Sequence, residues 1–145
     1  MVPGLIALAA SLAVAAGGGL AWRRATGKMR PGAPRTTLAQ EDPRCLISSA
    51  DLGIPLGERA TLVQFSTAFC APCRATRRIL AEVAGMTGDV AYVDIDAESR
   101  LDLVRRLDIR RTPTVLVIGP GGRVARRASG QPRKADIIAA LGEVS

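Results

Sequence analysis

An α/β domain with a central mixed β-sheet flanked by helices, preceded by one transmembrane helix, is the architecture that this sequence predicts. Residues 2–22 contain no charged side chain, and the next segment is rich in Arg, Pro and Gly. The remaining residues alternate between short β-prone and helix-prone stretches in the order β-α-β-α-β-β-α. Its opening βαβ unit implies two parallel strands joined by a right-handed crossover. We therefore divide the chain into an anchor (1–22), a tether (23–45) and a globular domain (46–145).

The uncharged run from Val2 to Trp22 is long enough to span a bilayer. As a helix it would extend about 30 Å, the thickness of the hydrocarbon core. A cleaved signal peptide, which is the alternative, carries basic residues before its apolar core. Here the basic residues follow the run, beginning with Arg23 and Arg24. We expect an uncleaved anchor that contacts membrane lipid through residues 2–24. The positive-inside rule then places the domain on the cytoplasmic face, with the extracytoplasmic orientation still open.

Charge and composition exclude several classes of function. The net charge is +7, of which the tether carries +4 and the domain only +3. A basic segment directly after an apolar run suits attraction to anionic lipid. Aromatic residues for stacking on bases make up 3% of the chain, so we predict no nucleic-acid partner. The chain has no histidine, which excludes Cys–His nucleophilic pairs and zinc sites that need imidazole.

The first βαβ unit is predicted from three consecutive stretches. Thr61–Ser66 is a short β-prone stretch that leads into a helix over Ala71–Ala84. Apolar residues lie on one side of this helix and three arginines largely on another. Glycines mark its end, and Val90–Ile95 is the second strand.

A second helix, a hairpin and a last helix complete the domain. Ser99-Arg100-Leu101-Asp102 matches a capping box, which marks the start of a helix. Thr112–Ile118 is a strand introduced by proline, Gly119–Gly122 is a turn, and Arg123–Ala128 is the hairpin partner. A final helix is predicted over Pro132–Val144. The residues expected to face the core are Leu101, Val104 and Leu107 in the second helix, and Ile137, Leu141 and Val144 in the last.

Cys70-Ala71-Pro72-Cys73 is the motif with the most chemical content. Two thiols separated by two residues at a helix start can close a small disulfide ring, and the helix dipole stabilises a thiolate on the first. The alternatives are a structural disulfide or half of a zinc site, but a zinc site needs a second pair and only Cys45 remains. Cys45 is expected to be a semi-buried free thiol, with an intermolecular disulfide or a regulatory thiol as the alternative. The motif therefore favours thiol–disulfide exchange.

The motif and the order of elements together resemble the thioredoxin family over roughly residues 55–144. The resemblance rests on Phe65–Cys73, on Val93-Asp94-Ile95-Asp96, on Arg111-Thr112-Pro113-Thr114 and on the glycine-containing hairpin before the final helix. It implies a thioredoxin-like fold and an oxidoreductase whose only redox group is the Cys70–Cys73 pair, with no cofactor and no metal.

The resemblance also implies a role for each residue of the site. Cys70 is the exposed nucleophile with a low pKa, and the more buried Cys73 resolves the mixed disulfide. Pro113 is a cis proline that faces the cysteines, and Thr112 offers its backbone to an extended substrate. An ordinary trans proline is the alternative. The other positions of the motif and groove are Phe69, Ala71 and Pro72.

Several positions depart from the family pattern. The buried acid that assists proton transfer from the second cysteine aligns with Gln64, and its lysine partner aligns with Tyr92. Gln64 cannot accept a proton, so we expect slower exchange at neutral pH or a narrower set of partners. Phe69 stands where tryptophan is usual, and Ala71 where glycine is common.

These observations lead to a membrane-tethered, monomeric reductase that acts on protein disulfides and is recharged by a thiol reductase. One alternative is an extracytoplasmic protein for disulfide editing or cytochrome maturation, and another is a non-catalytic binding module with the same fold. The remaining charged residues have simpler interpretations. Three arginines form a solvated helix face, with the alternative that they raise the local potential and lower the pKa of Cys70 slightly. Two aspartates are carboxylates at a strand end rather than a metal pair. These residues are Arg74, Arg77 and Arg78, and Asp94 and Asp96.

Overall fold

Four strands and three helices follow one another in the predicted order. The computed structural model describes residues 46–144, together with residues 15, 18, 19 and 28–31. A two-residue strand and a four-residue helix, which the sequence analysis did not predict, precede the predicted elements. The strands are β1 (Arg30–Pro31), β2 (Ala60–Ser66), β3 (Val90–Asp96), β4 (Thr114–Ile118) and β5 (Val124–Ser129), and the helices are α1 (Ser49–Leu52), α2 (Ala71–Met86), α3 (Leu101–Arg106) and α4 (Lys134–Gly142).

The sheet is mixed, as predicted, with the strand order β1-β5-β4-β2-β3. β2 and β3 are parallel, and β4 is antiparallel to both β2 and β5. Phe65, near the carboxyl end of β2, therefore pairs with Thr114 at the amino end of β4. This register brings three chain segments to one edge of the sheet: the ends of β2 and β3 and the start of β4.

Helices cover both faces of the sheet and make β2 its most buried strand. All seven residues of β2 are buried, including the polar residues Thr61, Gln64 and Ser66. Leu62 packs on the face that α2 and α4 cover, whereas Val63 and Phe65 pack on the face that α1 and α3 cover. This alternation follows from the two-residue period of a strand. Burial of each such large apolar side chain contributes about 1.5–3 kcal/mol.

The predicted capping box of the second helix is wrong. Arg100 is the N-cap of α3 and makes no side-chain cap bond. The Ser99 hydroxyl instead donates to the Asp96 carbonyl oxygen at 3.0 Å, because the turn after β3 uses this residue before the helix begins. A capping box is present elsewhere, at the start of α1, where Ser48 and Asp51 bond reciprocally.

The apolar face predicted for this helix is also only partly correct. Leu101 is 50% exposed, whereas Leu107 is buried as predicted and Leu103 is buried unexpectedly. Leu103 and Leu107 are four residues apart and share a face at that spacing. The helix α3 begins at Leu101, two residues after the predicted cap. Leu101 therefore lies in the first turn, where it faces solvent.

The strand β4 and the last helix, α4, are both shorter than predicted. β4 begins at Thr114, so Thr112 and Pro113 lie in the loop before it. The final helix spans Lys134–Gly142 rather than Pro132–Val144. The residues predicted to face the core are nevertheless buried there, namely Ile137, Leu141 and Val144.

The predicted anchor lies outside the described residues, apart from three helical positions at 15, 18 and 19. In the described part of the chain, no helix combines the length and the apolar character needed to cross a membrane. Most of the predicted tether, with Cys45, is likewise outside the described residues. Its residues Arg30 and Pro31 form β1 and pair with Arg127 and Arg126 of β5.

Candidate active site

A disulfide joins Cys70 and Cys73 at the junction between β2 and α2. Cys70 is the N-cap residue of α2, and Cys73 lies in its first turn. The Cys73 backbone N–H donates to the Cys70 carbonyl oxygen at 3.1 Å. Cys73 is only 1% exposed, whereas Cys70 is partly exposed. The pair therefore has one sulfur within reach of a partner and one shielded sulfur behind it, at the positive end of the helix dipole.

The residues around Cys70 present an apolar surface to solvent. Phe69 is fully exposed, with a relative accessibility of 102%, and Ala71 and Pro72 are also exposed. Proline fits the first helical turn because an N–H there has no partner within the helix. The Pro72 carbonyl accepts a hydrogen bond from the Thr76 hydroxyl at 3.0 Å. The motif thus presents a firmly held turn with an exposed aromatic ring beside its outer sulfur.

The loop before β4 lies beside the cysteine loop. The Thr112–Pro113 peptide bond is cis, as the resemblance implied, and Pro113 is buried. The Thr112 hydroxyl lies 3.3 Å from the Thr67 hydroxyl, three residues before Cys70. The Pro113 carbonyl accepts a hydrogen bond from the Gly130 N–H at 2.7 Å. The structure therefore brings the predicted groove residues and the cysteine motif to the same edge of the sheet.

Gln64 is fully buried directly below the cysteine turn. Its side-chain amide donates to the Cys73 carbonyl oxygen at 3.0 Å. Its own carbonyl oxygen accepts from the Tyr92 hydroxyl at 3.2 Å. Both ends of the amide are thus engaged, and the Cys73 carbonyl oxygen, which can only accept, requires the NH2 end of the amide to face it. The two positions that depart from the family pattern therefore form one hydrogen-bonded unit.

Tyr92 remains a hydrogen-bond donor throughout the physiological pH range. Burial, reinforced by the negative charge of Asp94, raises the pKa of Tyr92 to about 12, and Arg77 acts in the opposite direction. The protonated hydroxyl is the form that can donate to Gln64. This unit offers neither a base nor an acid that titrates near neutral pH.

Asp94 forms a second polar cluster beside this unit. It accepts hydrogen bonds from the Ser66 hydroxyl at 2.6 Å and from the Arg77 Nε at 2.8 Å. The hydrogen bond to Asp94 raises the pKa of Arg77 above its usual range. Arg77 is exposed, as predicted for a solvated helix face, and it also pairs with Asp94, 17 residues away in the chain, which the sequence did not indicate. Among the described residues, no group of three or more Cys, His, Asp or Glu side chains is arranged to hold a metal ion.

An open cavity of about 280 Å³ lies away from the cysteines, between the tether and α4. Its lining includes Lys28, Met29 and the paired side chains of Arg126 and Glu143. None of the predicted site residues contributes to this cavity, so it adds nothing to the chemistry at Cys70.

A mixed sheet flanked by helices, with a Cys-x-x-Cys disulfide at a helix N-terminus beside a cis proline, defines a thioredoxin-fold protein with a disulfide-capable cysteine pair. A family model described as Thioredoxin matches residues 54–143. The chain therefore belongs to the thioredoxin family.

Individual relatives agree with this assignment. The chain is 34% identical over 114 residues to the chloroplastic thioredoxin Y of Oryza sativa subsp. japonica, which covers 78% of this chain and 64% of that protein. It is 31% identical over 58 residues to thioredoxin H5 of the same organism, covering 40% of this chain and 43% of that protein. The chain thus spans less than two thirds of the length of either relative. Thioredoxin C-2 of Corynebacterium nephridii is 34% identical over 77 residues, covering 52% of this chain and 71% of that protein.

Solved structures show the same fold. The crystal structure of a chloroplastic thioredoxin z superposes with a TM-score of 0.57 at 31% identity, covering 68% of this chain and 90% of that one. A mutant thioredoxin from Halobacterium salinarum gives a TM-score of 0.55 at 21% identity, covering 60% of this chain and 75% of that one. The second comparison supports the fold alone.

Proposed function

We propose that this protein is a membrane-tethered thiol–disulfide oxidoreductase that reduces protein disulfides through Cys70 and Cys73. The observation that carries the proposal is the disulfide between a partly exposed Cys70 and a buried Cys73 at the start of α2. Its position beside the Thr112–Pro113 loop gives an extended substrate a place to lie. Membership of the thioredoxin family supports the same chemistry.

In the proposed reaction, two electrons pass from the reduced protein to the substrate. The Cys70 thiolate attacks one sulfur of the substrate disulfide, and the other substrate sulfur leaves as a thiolate that takes up a proton. Cys73 then loses its proton and attacks the Cys70 sulfur, which forms the Cys70–Cys73 disulfide and releases the second substrate thiolate. A dithiol of a thiol reductase returns the two electrons and reduces the pair again.

The proton of Cys73 has no acceptor in the unit below it. Gln64 is an amide, and Tyr92, with a pKa of about 12, holds its own proton near neutral pH. We infer that water or the departing substrate thiolate takes the proton from Cys73. This route depends on the substrate, so we expect slow exchange at neutral pH or a restricted set of partners.

An insulin-disulfide reduction assay with a small dithiol as donor tests the proposal. The wild-type protein should accelerate reduction, and Cys70→Ser should abolish the acceleration. A non-catalytic binding module would retain its partner in this variant and would show no turnover in the wild type either. Gln64→Asp introduces a proton acceptor and should raise the rate near pH 7. An unchanged rate in that variant would contradict the inferred role of Gln64.

We propose that residues 2–22 anchor the domain in the membrane and that the domain lies on the cytoplasmic face. The uncharged run and the basic residues after it support this proposal. The pairing of Arg30 with Arg127 in the sheet leaves seven residues between Trp22 and Arg30. An extended chain of that length reaches at most about 25 Å, so the domain would stay close to the bilayer.

Topology is best tested by labelling a cysteine introduced at the C-terminus with a membrane-impermeant reagent, in a Cys45→Ser background. Protection in intact cells and labelling after lysis would agree with a cytoplasmic domain. Labelling in intact cells would instead favour disulfide editing or cytochrome maturation outside the cytoplasm.

A further inference from the structure

We propose that three unpaired arginines beside the cysteine motif make this protein prefer disulfides that lie in acidic protein segments. We call these residues the basic rim: Arg74, Arg78 and Arg111. This inference rests on the proposed function, because it names the class of substrate that the same site takes.

Two residues of the basic rim extend the cysteine motif along α2. Arg74 follows Cys70 by four residues, and Arg78 follows Arg74 by four. Residues at this spacing lie on one face of a helix, one turn apart. Both arginines are exposed, so a substrate bound at Cys70 would come within one or two helical turns of their charges.

The third residue of the basic rim belongs to the groove loop. Arg111 directly precedes Thr112 and Pro113 and is exposed. Its backbone is held in place because its carbonyl oxygen accepts from the Thr114 hydroxyl at 2.7 Å. The contact between Thr112 and Thr67 fixes this loop against the cysteine loop. A substrate segment that lies along the groove would therefore pass Arg111.

Other basic residues in this part of the domain are neutralised by ion pairs. Such pairs join Arg77 to Asp94, Arg110 to Asp108, Arg133 to Asp136 and Lys134 to Glu82. Within residues 46–144, by contrast, the side chains of the basic rim have neither an ion pair nor a hydrogen bond. Unpaired charges of one sign around a site create a potential that attracts and orients ligands of the opposite sign.

The charge around the site differs between its two sides. The exposed acidic residues Asp96 and Glu98 lie at the end of β3, on the opposite side of β2 from the groove loop. The positive charge is therefore concentrated towards β4 and α2. With the exposed ring of Phe69 beside Cys70, the complementary substrate is a protein segment that is apolar next to its disulfide and acidic where it crosses Arg111.

Three peptides with one intramolecular disulfide test this proposal. They share one sequence except for flanking positions, which are glutamate, glutamine or lysine. The second-order rate constant for oxidation of the pre-reduced full-length protein is measured for each, by acid quench and mass spectrometry. We expect the acidic peptide to react about tenfold faster than the basic one at low salt. We expect the ratio to approach one at about 0.5 M salt, where exposed charges are screened.

Variants with matched charge locate the effect. The double variant Arg74→Gln, Arg111→Gln should reduce the acidic-to-basic ratio to about twofold or less. Arg105→Glu is the control, because it lowers the net charge by the same two units, and this arginine is also exposed and without an ion pair in residues 46–144, but lies on α3 across the sheet. It should retain the wild-type ratio. An equal loss of selectivity in both variants would overturn the assignment to the rim, because it would indicate an effect of net charge alone.

The remaining outcomes separate this inference from the proposed function. Equal rates for all three peptides would overturn the inference and leave the oxidoreductase proposal standing. Failure to react with any peptide would overturn both. Binding to anionic vesicles of phosphatidylglycerol that requires Arg74 and Arg111, without selectivity among the peptides, would also overturn it, because the basic rim would then contact lipid.

Discussion

The pairing of Gln64 with Tyr92 can be tested by removing a single oxygen atom. Tyr92→Phe deletes the hydroxyl that donates to the Gln64 side-chain carbonyl at 3.2 Å. Gln64 is 0% exposed, so water has no direct access to replace that donor. The variant therefore leaves a buried amide oxygen without its partner and leaves the ring and its packing in place.

The expected cost follows from that burial. An unsatisfied buried acceptor destabilises a fold by about 1–3 kcal/mol. The middle of this range, about 2 kcal/mol, is the loss that we expect. With a urea dependence of about 1–3 kcal/mol per molar for a domain of this size, the unfolding midpoint should fall by about 1 M.

Urea unfolding of the oxidised protein, followed by far-ultraviolet circular dichroism, measures this loss. Gln64→Leu and the double variant Gln64→Leu, Tyr92→Phe complete a thermodynamic cycle. Without the Gln64 oxygen, Tyr92→Phe no longer orphans an acceptor, so the double variant should be more stable than the sum of the single losses predicts, by about 1–2 kcal/mol. The lost hydrogen bond from Gln64 to the Cys73 carbonyl oxygen is common to both Gln64→Leu variants and cancels in the cycle. Strictly additive losses would refute the claim that the two side chains act as one unit.

The pH dependence gives an independent check on Tyr92. Its folded pKa of about 12 exceeds the usual 10.0, so the folded state favours the protonated hydroxyl. This contribution to stability is complete below pH 10 and is lost as the pH rises through 12. Tyr92→Phe should flatten that part of the stability profile, and a decline identical to that of the wild type would contradict the assignment.

Two further predictions concern parts of the domain outside the site. Gly122→Ala should lower the unfolding free energy by about 2 kcal/mol or more, because its φ is +77° and an added Cβ would lie 2.4 Å from the Ile47 carbonyl oxygen. Gly85→Ala is the control, because a Cβ at this exposed position of α2 would have no atom within 4 Å. It should raise the free energy of unfolding by up to about 1 kcal/mol. Equal losses in the two variants would contradict the steric argument. Although burial opposes it, hydrogen bonds at the helix cap and from Arg106 lower the pKa of Asp51 below 3.8. The resulting stability is present above pH 3.8 and lost as the pH falls through the lower folded pKa, so Asp51→Asn should remove that acid decline in a pH titration of unfolding.

The site was predictable where its chemistry is local in sequence. Cys70 and Cys73 are three residues apart at a β–α junction, and the residue types, spacing and flanking pattern already define a disulfide-capable turn. The groove loop at Pro113 followed from the resemblance, because it lies forty residues away and only the register of β4 brings it to the motif.

Contacts that depend on the register between two strands could not be predicted from the sequence. Arg77 and Asp94 meet because Gln64 pairs with Asp94 in the parallel β2–β3 ladder. The positions of the two residues could have indicated this pair. Arg77 follows Cys73 by one helical turn, and Asp94 lies on the same strand face as Tyr92. Ser99 illustrates the opposite case. Its sequence matches a capping motif, but its hydroxyl donates to the turn after β3 and does not cap α3.

Trapping of a mixed disulfide tests the central claim most directly. Both variants of this test also carry Cys45→Ser, so that no third thiol can form an adduct. Reduced Cys73→Ser protein, mixed with a disulfide-containing peptide, should accumulate a covalent adduct at Cys70, because the second thiol is absent and cannot release the product. Reduced Cys70→Ser protein should form little adduct, since Cys73 is only 1% exposed. Intact-mass spectrometry after acid quench distinguishes the two. An adduct on Cys73 in preference to Cys70, or no adduct in either variant, would contradict exchange through an outer nucleophile and an inner resolving cysteine.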